Sequence, residues 1–181
     1  MGEIMFENFS LLVNNRQSCR DFNDKPLDKE TLDKIVSLGL LAPSACNSQP
    51  WKLYVVTEEN TRKKVARTLQ DMLMNKFTNK AQAFIVLAEC NATLKLGASL
   101  KFDRNHFVKY DIGQICAYLT LAAESLGVSS CIIGWVNEKE LKQAVSIPED
   151  QNCSLVIALG YSDIDKRKKS RKDKETLVEL I

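Results

Sequence analysis

The chain has 181 residues, 45% apolar and 27% charged, enough for one domain with a hydrophobic core. These fractions exclude a disordered, collagen-like or coiled-coil chain, and no apolar run approaches the ~18–20 residues needed to cross a bilayer. The formal charge of +2 hides an asymmetry: residues 166–174, KRKKSRKDK, carry +6 and the remainder carries −4.

The opening MGEIMFENFS has neither the basic region nor the apolar run of a secretory signal. It begins Met-Gly, but Phe6 stands where an N-myristoylation signal needs Ser or Thr. The chain reads as cytosolic. Leu32, Ile35, Val36 and Leu40 recur at helical spacing, with Asp28 as N-cap and Pro43 as the stop. KLYVVT (52–57) predicts a strand, and Val65, Leu69, Met72 and Leu73 predict the apolar stripe of a second helix. AFIVLAEC (83–90) reads as a buried strand. YDIGQICAYLTLAAESL (110–126) is apolar around most of its circumference and ends at Gly127, which predicts a buried central helix. SSCIIGWV (129–136) is the next predicted strand. Asn137 can cap a short helix that closes before Pro148, and CSLVIALGY (153–161) is the last strand. The expected architecture is one α+β domain over residues 1–165, helices on a central sheet, with 166–181 as a basic extension lacking a core of its own.

Six cysteines are scattered with no CxxC, and His106 is the single histidine. That pattern fits reduced, buried thiols better than a zinc site, and no GxSxG elbow accompanies His106. The seven glycines are isolated, so neither GxGxxG nor GxxxxGK[ST] is present. A phosphate-bearing ligand would therefore have to be held by side chains.

Three segments carry chemistry. In Arg16-Gln17-Ser18-Cys19-Arg20, two guanidinium forks flank a hydroxyl, a donor set suited to phosphate. The same spacing also describes a solvated helix end, and the pattern alone leaves both readings open. In residues 42–51, APSACNSQPW, two prolines restrict the backbone. Asn47 and Gln49 each offer a donor and an acceptor to a heterocycle edge, and Trp51 can anchor the following strand. In Cys131-Ile132-Ile133-Gly134-Trp135, the glycine marks either close backbone approach by a ligand or a bulge at a strand end.

Together these segments resemble the nitroreductase family. The resemblance runs from NRQSCRDF through LAPSACNSQPWKLYVV, the helix from YDIG, LGVSSCIIGW and IALGY into the basic C-terminus. It implies an FMN-binding α+β fold with a mostly antiparallel central sheet surrounded by helices. It further implies an intertwined homodimer with flavin sites at the subunit interface. By match, Arg16, Gln17, Ser18 and Arg20 would hold the FMN phosphate and ribityl chain. Pro43, Ser44, Ala45 and Asn47 of the other subunit would line the isoalloxazine, and Ile133 and Gly134 would present backbone near its reactive edge. Lys169 and Arg171 resemble a late Lys-x-Arg pair that closes over the phosphate.

The implied activity is that of an FMN-dependent oxidoreductase passing electrons from NADH or NADPH to a nitroaromatic, quinone or similar acceptor, by a ping-pong course. The flavin carries that chemistry, so no catalytic acid or base is named. Two other readings stay open: a flavin-binding sensor or carrier without turnover, and a nucleic-acid contact through the basic tail. The acidic body and the absence of aromatic residues in the tail argue against the latter, and neither nucleic acid nor membrane is an expected partner.

Overall fold

The computed structural model describes residues 2–70, 72 and 74–181. Its centre is an antiparallel sheet of β1 (Trp51–Val56), β2 (Ala83–Glu89), β3 (Ser129–Ile133) and β4 (Cys153–Gly160), in the order β1-β2-β4-β3. Strand β2 is apolar at nearly every position because both of its faces are covered. Ala83, Ile85 and Leu87 point to one core layer, while Phe84, Val86 and Ala88 point to the other. All six are 0% exposed, and burying each larger side chain contributes about 1.5–3 kcal/mol.

The first layer is closed by α2 (Lys29–Gly39) and α5 (Val108–Ser125). Helix α2 starts where Asp28 accepts from the Thr31 N–H at 2.8 Å, a side-chain cap for an otherwise orphaned donor. It packs so closely on α5 that a Cβ at Gly39 would lie 2.3 Å from Leu119 Cδ2. The second layer is closed by α3 (Glu59–Thr68) and α6 (Glu138–Val145), the latter capped by Asn137. Trp51 is buried at the start of β1, the anchoring role expected for it. The short helices α4 (Leu96–Ser99) and α7 (Lys174–Leu177) bury no residue.

Several details depart from the pattern read in the sequence. Helix α3 ends at Thr68, with Leu69 as its C-cap and Met72 beyond it at 75% exposure; Leu73 lies outside the described residues. Helix α5 is not buried all round, since Tyr110 and Tyr118 are 65% and 43% exposed. Helix α1 (Gly2–Asn15) has no counterpart among the predicted elements. It buries none of its residues and exposes Ile4, Met5, Phe6 and Phe9. Strand β3 stops at Ile133, so Gly134 and Trp135 follow the strand instead of interrupting it. No helix among the described residues is long and apolar enough to cross a membrane.

Candidate functional site

The chain leaves α1 at Asn15 and runs beside the edge strand β3. Ser18 forms a parallel bridge with Ser130, and the Cys19 N–H donates to the Ser130 carbonyl at 2.8 Å. An edge strand has unpaired backbone groups available for such an addition. The pairing buries Cys19 and fixes the direction of the segment that carries Arg16, Gln17, Ser18 and Arg20.

The basic tail returns to this segment from the far end of the sequence. Lys166 pairs with Glu124, near the end of α5, at 2.7 Å. The Arg167 backbone N–H and Nε donate to Gln17 Oε1 at 3.1 and 3.3 Å, and its Nη2 donates to the Ser18 carbonyl at 2.8 Å. Lys169 Nζ donates to the Val13 carbonyl at the end of α1. The result is a cavity of about 380 Å³ lined by Arg16, Gln17, Ser18 and Arg20 on one side and by residues 167–171 on the other. Six of its nine lining residues are cationic and none is acidic.

The electrostatics of this cradle are uniformly positive. Among the described residues, the guanidinium groups of Arg16 and Arg20 make no hydrogen bond or ion pair. The Lys169 ammonium titrates below its ordinary range, first through partial desolvation and then through repulsion from Arg16 and Arg171. Planar guanidinium forks, an ammonium and the Ser18 hydroxyl are donors that match the oxygens of a phosphate.

Arg16, Lys169 and Arg171 also line a second, more apolar cavity of about 390 Å³, whose floor includes Gly113, Cys116, Ala117 and Thr120 of α5 and Ile132 and Leu155 of the sheet. Burial pushes the Cys116 thiol up to about 11, against a smaller opposite pull from Arg16. Gly113 and Leu155 continue into a third cavity, which Glu89, Lys109 and Glu138 also line. A Cβ at Gly134 would lie 3.6 Å from Cδ2 of Leu155, a residue that lines both cavities, and that is an ordinary contact. Glycine is thus not required by the protein's own packing at this position. The Ile133 side chain is turned into the core, which leaves its backbone as what it can offer a ligand.

The remaining expected residues lie elsewhere in the same chain. Pro43, Ser44, Ala45 and Asn47 belong to the connection between α2 and β1, where residues 45–47 form a 3₁₀ turn. The Ala45 N–H donates to Asp111 Oδ1 at 3.0 Å. At about 100° per residue, Asp111 projects from α5 roughly half a turn away from Gly113 and Thr120, which line the apolar cavity. Within one chain, therefore, this connection and the cationic cradle flank opposite sides of α5. Asn47 is exposed, and the Gln49 side chain is turned onto it.

The Nitroreductase family profile matches residues 13–161. The chain belongs to the nitroreductase family. The 4-nitrobenzoate reductase of Pseudomonas putida is 32% identical over 199 residues, covering 88% of each chain. A nitroreductase family protein of Streptococcus pneumoniae superposes with a TM-score of 0.83 at 22% identity, over 96% of this chain and 100% of that one. The NADPH:FMN oxidoreductase of Vibrio harveyi, solved with NAD+, superposes with a TM-score of 0.80 at 21% identity, over 96% of this chain and 76% of that one. The chain has the nitroreductase fold and is an oxidoreductase enzyme.

Against this frame, the cradle contains Arg167, Lys168 and Ser170 in addition to the expected Lys169 and Arg171. The sequence alone does not distinguish Arg167, because any base in KRKKSRKDK suits an anion equally well. Its distinction, two contacts to Gln17 and Ser18 some 150 positions away, exists only in the folded chain. Among the described residues no group of three or more His, Cys, Asp or Glu side chains could hold a metal ion.

Proposed function

We propose that this nitroreductase family member is an FMN-dependent oxidoreductase that draws on NADH or NADPH and reduces nitroaromatic, quinone or related small acceptors by a ping-pong course. The observation that carries this reading is the carboxylate-free cationic cradle that Arg16, Arg20, Lys169 and Arg171 share. It abuts an apolar cavity, the order of features that a phosphate, a ribityl chain and a flat heterocycle require. The fit extends to chemistry: Arg16, Arg20, Lys169, Arg171 and the Ser18 hydroxyl would hold the phosphate, and Ile132, Leu155 and Gly113 would shape the apolar floor. FMN, when bound, supplies the two-electron chemistry between nicotinamide and acceptor. The cradle's positive charge anchors the anionic end of the ligand and leaves the backbone at the end of β3, at Ile133 and Gly134, to border its reacting end.

The working unit in this reading is a homodimer, with Pro43, Ser44, Ala45 and Asn47 of one copy completing the site of the other. Support comes from the apolar surface one chain leaves open: Phe6 and Phe9 of α1 and Tyr110 of α5 are 70%, 57% and 65% exposed. Surfaces of this kind mark association sites. Residues 1–165 form the catalytic domain, and 166–181 strap the cofactor site.

The test is an absorbance spectrum of the purified protein, then anaerobic titration with NADH and NADPH separately. A flavin band at one FMN per chain, bleached by either nucleotide and restored by an acceptor, is the expected result. Protein that is colourless, refuses added FMN and leaves NAD(P)H unoxidised overturns the proposal. Tight FMN binding with no bleaching by either nucleotide points instead to a sensor or carrier.

A further inference from the structure

We propose that Arg167 is a positioning residue that fastens the basic tail to the Gln17–Ser18 segment and thereby sets Lys169 and Arg171 opposite Arg16. The proposal rests on the FMN reading for the identity of the anion, but not for the clasp itself.

Residues 165–173 have no regular secondary structure, and the bond from Arg171 Nη1 to the adjacent Ser170 carbonyl at 2.7 Å is local, so it does not fix where the tail sits against Arg16. Ordering such a segment costs backbone entropy at every residue. A tail ordered only by its ligand would draw that cost from the binding energy. The structure instead holds it at three points: Lys166 to Glu124, Arg167 to Gln17 and Ser18, and Lys169 to the Val13 carbonyl. The first lies at the end of α5, away from the Arg16–Arg20 segment. The third uses the ammonium that the anion itself needs. Among the described residues, Arg167 alone joins the tail directly to the expected phosphate segment, and it does so with backbone and guanidinium together.

The chemistry of the contacts separates Arg167 from its neighbours. Its fork is spent on neutral protein acceptors, Gln17 Oε1 and the Ser18 carbonyl, whereas Arg16 and Arg20 make no such bonds among the described residues. This also reassigns Gln17. Its side-chain oxygen receives two of the three Arg167 donors, so Gln17 serves as the socket for the tail more than as a ligand to the ribityl chain. Lysine in place of Arg167 could reach one acceptor but could not span two, because the planar fork is what divides its donors between them.

The experiment is an FMN titration, by fluorescence quenching, of wild type, Arg167→Met, Arg171→Met, the double variant and the charge-matched control Lys172→Met, which does not line the cavity. Arg167→Met and Arg171→Met should each weaken binding about ten- to a hundred-fold, the range for one lost charge-assisted contact. The double variant should be no more than about threefold weaker than the weaker single variant, since a tail that is no longer docked cannot lose Arg171 twice. In ligand-free protein, trypsin should cut after Lys169 and Arg171 about tenfold faster in Arg167→Met than in wild type or Lys172→Met. The proposal is overturned if Arg167→Met binds FMN as wild type does, if the losses multiply in the double variant, or if tail cleavage is unchanged. Wild type that does not bind FMN defeats the cofactor reading, and the trypsin comparison then decides the clasp alone.

Discussion

The Ala45 backbone N–H donates to Asp111 Oδ1 at 3.0 Å, tying the connection before β1 to the first turn of α5. Asp111 is 1% exposed, and its other oxygen has no hydrogen-bond partner among the described residues. The segment it holds is strained: Cys46, Asn47 and Gln49 have φ of 55°, 53° and 48°. Left-handed conformations cost non-glycine residues about 1–2 kcal/mol each, and they persist where the surroundings over-determine them. Here the surroundings are the Asp111 contact and the bond from the Gln49 N–H to Ser44 Oγ at 2.9 Å. A carboxylate in the first turn of a helix is further favoured by the helix dipole.

Asp111→Ala should therefore destabilise the fold by about 1–3 kcal/mol, the range for leaving a buried donor unsatisfied. Asp111→Asn keeps an acceptor for the Ala45 N–H and should retain most of that stability. Urea unfolding of the two variants checks this. Equal losses in both would show that the negative charge, and not the hydrogen bond, is what the site requires.

What could be read in the sequence follows from where each signal originates. The Asp28 cap, the uninterrupted apolar run of β2 and the Asn137 cap are local patterns with one plausible outcome, and all three stand. Helix α1 escaped because Ile4, Met5, Phe6 and Phe9 stay exposed in the single chain, so no internal burial pattern marks it as a packed element. The excess length predicted for α3 came from Leu69 and Met72, which keep helical spacing although the helix has ended at Thr68. In the candidate cradle, the grouping of Arg16, Ser18 and Arg20 was legible because the three lie within five residues of one another, and one cavity gathers them. Asp111 and Arg167 were not, since each acts by reaching a backbone group distant in sequence.

Gly134 offers a separation of ligand contact from stability. A methyl group there meets only Leu155 Cδ2, at an ordinary distance, so Gly134→Ala should fold with a stability within about 0.5 kcal/mol of wild type, as for substitutions that disturb no packing. If the backbone at Gly134 lies against the flavin, the same methyl group should weaken FMN binding or slow NAD(P)H oxidation by about tenfold or more, since a 1 Å misplacement at a reacting centre is costly. Thermal unfolding and steady-state kinetics on one preparation test both halves. Wild-type kinetics in Gly134→Ala would remove this residue from the proposed site.

Lys169 should show opposite signs in stability and binding. Its folded pKa is below the ordinary value of 10.5, so between the folded and unfolded pKa values the unfolded chain binds more protons and stability rises with pH. Below the folded pKa the charged ammonium is a liability to the ligand-free protein. Lys169→Met should thus raise the urea midpoint of ligand-free protein at pH 8 and low ionic strength, and high salt should shrink the difference by screening. The same change should weaken FMN binding about ten- to a hundred-fold. A variant that loses both stability and affinity would show that the bond to the Val13 carbonyl outweighs the repulsion from Arg16 and Arg171.

Cys116 sets an alkaline limit on the fold. Its folded pKa of about 11 lies above the ordinary 9.0 because burial penalises the thiolate, with Arg16 opposing only in part. A raised folded pKa means that the native state retains the proton longer, so this contribution is complete below pH 9 and is lost as pH rises through 11. A two-unit difference corresponds to about 2–3 kcal/mol. Urea unfolding under reducing conditions should show a loss of stability between pH 8.5 and pH 11 that is smaller by roughly that amount in Cys116→Ala. Some alkaline loss should remain, since Cys153 is also pushed up to about 11 by burial. Arg16→Met should deepen the loss by removing a cation that favours the Cys116 thiolate. At neutral pH the thiol stays protonated beside Arg16, so the guanidinium keeps its charge uncompensated for the anion it is proposed to hold.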